Sequence, residues 1–508
     1  MNRRRQVLRG LVFTAAGATL GTEKLFGLFN CRGSSPWPPL VPLQGGKIDG
    51  GGATEDHRYK QRDFPAVRPI RSERKFVSEA VEAKILQVKG AIADPELAWL
   101  FENCFPNTLD TTVTFGVRDN RPDTLVVTGD INAMWLRDST AQVTPYLPLA
   151  LKDKKLKNMI AGVINRQTHC ILIDRYANAF SFGAKACPWG VNDKPSLSPE
   201  LCERKWEIDS LCYPIRLSHS YWKTTGDTSC FHSDWQQAGR LIVKTFREQQ
   251  RVYGQGPYRF QRTTDNPIDT PPFNGLGNPT RPVGMIHSAF RPSDDACVYP
   301  YLIAANLFAI VALKQLAEIF STVLSDRNFA GECRTLAQQI TDAVNTYGKA
   351  LSKKQGTVYA YEVDGFGNQL LMDDANVPSL LALPYLGCCA LTDPLYRRTR
   401  ALILSNDNPY FFRGKAAEGI GGPHVGLNMI WPLGIIVRAM TSTDDREILY
   451  CLRMLKNTHA GTGFMHEAFD KDDPKKFTRS WFAWANTMFG ELIVKLHEQR
   501  PQLLKIVL

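Results

Sequence analysis

The sequence predicts an all-α fold of concentric helices, an α/α barrel, and three observations carry that expectation. Three segments are apolar nearly all round: YLIAANLFAIVAL (301–313), GLNMIWPLGIIVRAM (426–440) and WFAWANTMFGELIV (481–494). A helix apolar on every face must be covered on every face, which puts these segments in an inner layer. Other helical patterns are amphipathic, as where Leu336, Ile340, Val344 and Tyr347 share one face, and suit an outer layer. Strand-like alternation is scarce, TLVVTG and GTVYAYEV being the best candidates, both short. No internal repeat is strong enough to count hairpins, so a helical bundle or solenoid fits the same pattern.

From the N-terminus, MNRRRQVLRGLVFTAAGATLG combines a basic start with an apolar run over 11–20. The run is too short to span a bilayer and fits the h-region of an export signal. Arg4-Arg5-Gln6-Val7-Leu8-Arg9 resembles a twin-arginine signal. Residues 1–33 are thus expected to direct export to the bacterial periplasm, with Cys31 a candidate lipid anchor despite the poorly matching Phe29-Asn30 before it. Residues 34–70, with SSPWPP and GGKIDGGG, read as a linker or arm, and 71–508 as one catalytic domain. Its first helical face carries Val77, Val81, Ile85 and Val88.

The net charge of +11 includes four arginines of that N-terminal segment, Arg3, Arg4, Arg5 and Arg9. Without a Lys/Arg-rich run elsewhere, the remainder reads as a solvated basic surface rather than a nucleic-acid site. Of the twelve cysteines, Cys212, Cys297, Cys388, Cys389 and Cys451 lie in apolar runs, and no CxxC pair occurs. Most are expected to be buried thiols, with one or two disulfides at most. The segment 254–282, rich in Pro, Gly and Asn, is expected to be a loop that covers a site.

Four stretches place charge inside apolar sequence. In GDINAMWLRDST (129–140), Asp130, Arg137 and Asp138 flank an apolar run, and burying such groups unpaired costs several kcal/mol. The Ser139-x-x-Gln142 spacing predicts a helix from Ser139 that bends at Pro145. A helix-end role accounts for Asp138 but not for Trp135 and Arg137, a flat apolar face and a forked donor suited to a sugar ring. In KWEIDSLCYPIRLSHSYW (205–222), Asp209 sits between Ile208 and Leu211. Apolar surroundings raise a carboxyl's pKa, as a general acid requires, although a buried Asp satisfied by backbone donors fits equally. In SAFRPSDDACVYPYL (288–302), Arg291 precedes Ser293, Asp294 and Asp295, one of which is expected to cap the next inner helix while the others hold sugar hydroxyls or orient the site. In GTGFMHEAFD (461–470), a Gly-rich turn delivers His466 and Glu467, and Glu467 reads as a base in an aromatic-walled pocket or as a buried structural Glu.

This His-Glu pair lacks the second His of a zinc HExxH, and no metal or cofactor is expected. Nucleotide and acyl-transfer motifs are absent. Carboxylates, Trp residues and Arg forks at the ends of inner helices suit glycoside hydrolysis, in which two carboxylates flank the scissile bond.

Taken in order, TGDINAMWLRDSTAQVTPYL (128–147), EIDSLCYPIRLSHSYW (207–222), GMIHSAFRPSDDACVYPYLIAAN (284–306) and GTGFMHEAFD with RSWFAWANTMFGELI (461–493) resemble glycoside hydrolase family 125, the exo-α-1,6-mannosidases. The resemblance implies an (α/α)6 barrel with long loops over its active-site face, release of terminal α-1,6-linked mannose from mannans or N-glycan-derived oligosaccharides, inversion, and no catalytic metal. It implies Asp209 as general acid and Glu467 as general base, with Asp130, Trp135, Arg137, Asp138, Arg291, Ser293, Asp294, Asp295 and His466 in segments that shape the mannose pocket. Ile131-Asn132 and His287 depart from the family's usual residues, and the change at His287 is expected to touch the leaving-sugar subsite. The expected partner is a mannose-containing oligosaccharide or polysaccharide. The residues themselves also fit an inverting α/α-barrel glycosidase of other linkage, or a non-catalytic sugar-binding protein.

Overall fold

The computed structural model describes residues 64–182 and 187–508, so the expected signal over 1–33, Cys31 and most of the expected linker lie outside the described residues. The globular unit begins at Asp63, earlier than the expected boundary at 71. Residues 64–70 belong to it rather than to a linker. Phe64 stacks on Trp99 with ring centroids 5.0 Å apart, and Arg68 Nε donates to Asp110 Oδ2 at 2.6 Å.

Among the described residues, the helices run α1 (Glu79–Lys89), α2 (Pro95–Cys104), α3 (Asn107–Thr111), α4 (Leu136–Val143), α5 (Lys154–Ile173), α6 (Ile208–Thr225), α7 (Ser233–Gln249), α8 (Pro272–Gly275), α9 (Ile303–Thr322), α10 (Arg327–Tyr347), α11 (Pro394–Ile403), α12 (Pro432–Met440), α13 (Asp445–Asn457) and α14 (Ala483–Gln499). They form an (α/α)6 barrel. The inner ring is built by α14 against α4, α4 against α6, α6 against α9, and α12 against α14. Between α9 and α12 the inner position is filled by a run of turns rather than a helix. Tyr213 and Arg216 of α6 donate to the carbonyls of Val377, Tyr385 and Leu386 in that run, and the Tyr385 hydroxyl donates to Glu491 of α14. Outer helices pack behind their inner partners, α10 on α9, α13 on α12 and α2 on α14. The inward face of α10 follows the expected pattern, with Leu336, Ile340 and Val344 buried.

Three helix starts differ from expectation. The helix expected from Ser139 begins at Leu136, with Trp135 extended at its N-cap, so Arg137 and Asp138 lie in its first turn. Ser139 Oγ donates back to the Leu136 carbonyl, and Gln142 donates to the Val127 carbonyl, so the expected capping box does not form. Pro145 then opens a 3-10 segment, Thr144–Leu151, where the expected bend falls. The apolar run 426–440 becomes helical only at Pro432, whose fixed φ suits a first helical position, and Met429–Ile430 pairs instead with Phe469–Asp470. Likewise α9 starts at Ile303 with Leu302 as N-cap, so none of Ser293, Asp294 or Asp295 caps it.

Short antiparallel strands join the loops. Met134–Trp135, Ala179–Phe180 and Leu201–Glu203 form one three-stranded sheet. The expected strand around TLVVTG is Arg121–Val126, paired with Val113–Arg118, and GTVYAYEV contributes Gly356–Tyr359 and Glu362–Val363. One disulfide, Cys187–Cys202, is found among the described residues. Cys212, Cys297 and Cys451 are buried free thiols, and Cys388 and Cys389 are half-buried free thiols.

Candidate active site

A helix N-terminus carries unpaired amides and a positive dipole end, which favour carboxylates nearby. In this barrel the starts of α4, α12 and α14 contribute to one rim, and the start of α6 lies behind it. Trp135, Arg137 and Asp138 come from α4 and Trp431 from the N-cap of α12, while Phe482 and Trp484 come from the start of α14. Glu207 is the N-cap residue of α6. The rim encloses a cleft of about 270 Å³ walled by these aromatics and by Ser293, Asp294, His424, Glu467 and Arg479. A larger groove of about 860 Å³ lies past the C-terminal ends of α7 and α10, but its titratable lining, such as Glu248, Tyr253 and Asp342, is not buried. The smaller cleft is the one with the chemistry.

Arg137 organises the cleft floor. Its Nη1 donates to Glu207 Oε2 at 2.6 Å and to Asp209 Oδ2 at 3.1 Å, and its Nη2 donates to Asp294 Oδ1 at 3.4 Å. Asp138 lies 3.5 Å from Arg137 Nε and accepts from the Thr128 hydroxyl. Burial raises the Asp138 and Glu207 carboxyls, Glu207 well above the usual range despite Arg137 beside it. Burial likewise pushes Asp209 up to about 6, with Arg137 opposing.

Asp209 does not line the cleft. It is 1 % exposed, its Oδ2 is held by Arg137, and its Oδ1 has no protein partner. A general acid must reach the leaving oxygen within hydrogen-bonding distance, so this placement does not fit the acid role expected for Asp209.

Of the carboxyls around Arg137, Asp138 and Asp294 line the cleft, and Asp294 is the more exposed of the two. It occupies a left-handed turn, φ 64°, which is strained for a non-glycine residue and recurs at functional sites. Its amide donates to the Arg291 carbonyl at 2.9 Å, and Lys205 Nζ donates to its carbonyl at 2.8 Å, so the turn is held from two sides. Asn178 Nδ2 donates to its Oδ1 at 3.0 Å.

Glu467 lines the cleft as well, with both oxygens oriented. Thr478 Oγ1 donates to its Oε2 at 2.9 Å and Arg479 Nη1 to its Oε1 at 3.3 Å. Arg479 also donates to Asp130, which sits exposed at the mouth rather than in the cleft wall. His424 Nδ1 and Asp295 Oδ1 are 2.8 Å apart, and Ser293 Oγ donates to Asp295 Oδ2 at 3.3 Å. Desolvation works against charge on His424, which is partly open to the cleft, but the hydrogen bond to Asp295 and the negative charges of Asp295, Asp294 and Glu467 together outweigh it and the imidazole rises to about 9.

The remaining expected residues stand back from the cleft. Arg291 Nε donates to Glu362 Oε1 at 2.6 Å beneath the turn that carries Asp294. His466 lies flat on Phe477, ring centroids 4.0 Å apart, with its Nδ1 2.9 Å from the Arg479 carbonyl. His287 is fully buried and lines no part of the cleft, contrary to the subsite role expected for it. The long loop 254–282 does reach the site, through Arg262 and Asp269.

Several cleft residues gave no sequence signal. Trp189, 40 % exposed, stands in the loop closed by Cys187–Cys202, and Glu203 follows the second cysteine. His424 and Asn376 lie in loops without periodicity. Arg479, Phe482 and Trp484 were visible as RSWFAWAN, a stretch readable as inner-helix core alone. The indole N–H groups of Trp135, Trp431 and Trp484 are buried without a protein partner, as donors for a polar ligand would be.

Comparison with known proteins decides the family. The family described as metal-independent alpha-mannosidase (GH125) matches residues 94–494. The chain belongs to glycoside hydrolase family 125. This GH125 enzyme is 44 % identical over 461 residues to the meiotically up-regulated gene 157 protein of the fission yeast Schizosaccharomyces pombe, covering 87 % of this chain and 90 % of that one. It is also similar to a solved Streptococcus pneumoniae structure, described as a metal-independent alpha mannosidase in a non-productive complex with α-1,6-mannobiose. That match has 41 % identity, a TM-score of 0.80, and covers 84 % of this chain and all of the other. The yeast relative corrects one expectation. A eukaryotic protein this similar does not fit bacterial periplasmic export by a twin-arginine signal.

Proposed function

We propose that this GH125 enzyme removes terminal α-1,6-linked mannose from mannans or N-glycan-derived oligosaccharides, with inversion at the anomeric carbon. The observation that carries the reading is the pairing of Asp294 and Glu467 on one small aromatic-walled cleft. A volume of about 270 Å³ is at the small end for a ligand pocket and suits a chain end better than a threaded polymer. The linkage is supported by the α-1,6-mannobiose bound to the S. pneumoniae relative.

In this reading Asp294, not Asp209, is the general acid. Its carboxyl O–H protonates the glycosidic oxygen as the C–O bond breaks and the electron pair passes to the departing sugar. Glu467, oriented by Thr478 and Arg479, takes a proton from the water that attacks the anomeric carbon from the opposite face. Trp135, Trp431 and Trp484 offer ring faces and free N–H donors to the terminal mannose. Asp209 stays behind Arg137 and helps hold it in place.

Linkage-defined mannobioses test the specificity. Turnover of the α-1,6 isomer, with kcat lowered roughly 10²–10⁴-fold in Glu467→Gln, is the expected result. Preferred turnover of α-1,2- or α-1,3-mannobiose, or of a glucobiose, overturns it.

A further inference from the structure

The acid of an inverting glycosidase must enter each cycle carrying a proton, yet Asp294 lies against Arg137, whose charge favours the ionised carboxylate. The structure places a second carboxyl where it can resolve this conflict. Glu207 is wholly buried, lies within hydrogen-bonding reach of the Asp294 carboxyl, and shares with it two further groups. Arg137 donates to both, and Asn178 Nδ2 donates to Asp294 Oδ1 at 3.0 Å and to Glu207 Oε1 at 3.5 Å. Asp294 opens to the cleft, whereas Glu207 lies behind it.

The charged and titratable groups around Glu207 come from every neighbouring element. Arg137 faces it from α4, Asp209 from its own helix, and Asp294 and Cys297 from the turn before α9; around these, Asp138 pairs with Arg137, Lys205 with Glu203 and Asp269, Arg262 with Glu203, Asp193 and Asp269, and His424 with Asp295 beside Asp294. Tyr258 completes the set. Four cations, Arg137, Lys205, Arg262 and His424, therefore face eight carboxyl groups. Ionising all eight in a largely buried site is strongly unfavourable, so the cluster retains a proton.

We propose that Glu207 is a positioning residue that shares one proton with Asp294 and hands it over when the glycosidic oxygen docks, keeping Asp294 in its donor state. The inference rests on the reading of Asp294 as the acid. With the site empty, the proton bridges the two carboxyls on the Glu207 side. As substrate seats, the Glu207 O–H bond breaks, an Asp294 O–H bond forms, and the new Glu207 carboxylate is neutralised by Arg137 Nη1 at 2.6 Å. Asp294 then gives the proton to the leaving sugar. The pair, now without a proton, regains one from solvent through the open cleft, while Glu467 returns to solvent the proton it took from water.

The test compares two substrates within each variant, so the fraction of folded enzyme cancels. α-1,6-Mannobiose needs a proton on its leaving group, and 2,4-dinitrophenyl α-mannoside does not. Asp294→Asn is expected to lose turnover of mannobiose while keeping the aryl mannoside. If it loses both equally, the reading of Asp294 as the acid fails and the inference fails with it. If Asp294→Asn separates the substrates, Glu207→Gln isolates the inference. It is expected to lower kcat for mannobiose on the order of 10²-fold, to leave the aryl mannoside near wild type, and to move the basic limb of the mannobiose pH profile to lower pH. Equal effects on both substrates, or none, would show a structural role and overturn it. If Glu207→Gln does not accumulate as folded protein, Glu207→Asp is read by the same ratio. A deficit confined to mannobiose is the expected result for this shorter acid, and equal loss overturns the inference.

Discussion

Arg137 faces Glu207, Asp209, Asp294 and Asp138, and a buried guanidinium so placed is hard to remove. Arg137→Met leaves those carboxyls without their cation and is expected to destabilise the fold by about 3–5 kcal/mol. Chemical denaturation reads this, and an unchanged midpoint would show that the cluster is not held together by that charge. His424 gives a pH prediction. Folding raises its imidazole from the ordinary 6.5 to about 9, so the protonated form is the stabilised one. That stabilisation is complete below about 6.5 and is lost as pH rises through about 9. The thermal midpoint is therefore expected to fall across that window and to fall less in His424→Gln; identical slopes would refute the assignment. At this scale the sequence was informative about residue type and blind to direction. Asp209, beside Ile208, and Asp294, in a Ser-Asp-Asp turn, are both acids near the start of an inner helix, and nothing in the sequence says which of them reaches the cleft. Only the fold shows that one points at Arg137 from behind and the other faces the cleft.

The elements that build the site are the N-terminal ends of inner helices, and their starts were harder to read than their interiors. Apolar periodicity identified the bodies of α9, α12 and α14 but ran past their starts, because residues such as Met429–Ile430 and Tyr301–Leu302 are as apolar in a short buried strand as in a helix. The inner position between α9 and α12 was not visible as a helix, and it is made of turns. Asp373 organises that run, accepting the amides of Leu380 and Leu381, each at 2.9 Å. Asp373→Ala leaves two buried amides unpaired and is expected to cost about 2–4 kcal/mol, measured by denaturant unfolding; a cost near zero would show that the run is held by packing alone. On α14, a methyl group at Gly490 would meet Phe105 at 2.6 Å and its backbone Cα at 2.8 Å. Gly490→Ala is expected to lose about 1–3 kcal/mol through overpacking, and a neutral result would mean that α14 can move away from Phe105 freely.

For the whole molecule, concentric layering followed from the contrast between all-apolar and amphipathic helices. The number of hairpins did not, since no repeat marks them, and it came with the family motifs. The boundary at 71 was set by composition, which gives no weight to a few anchoring contacts. A chain begun at Asp63 is expected to keep full activity and thermal midpoint. One begun at Arg71 loses the Phe64–Trp99 stack and the Arg68 bridge to Asp110 and Glu82, and melts several degrees lower. Equal midpoints would return residues 64–70 to a linker. The most direct measurement on the whole enzyme follows the anomeric protons of mannose by NMR as α-1,6-mannobiose is cleaved. Early release of β-mannose, lost in Glu467→Gln and in Asp294→Asn, is the expected result. Newly formed α-mannose, or β-mannose still released at the wild-type rate by Asp294→Asn, would contradict inversion by this pair of carboxyls.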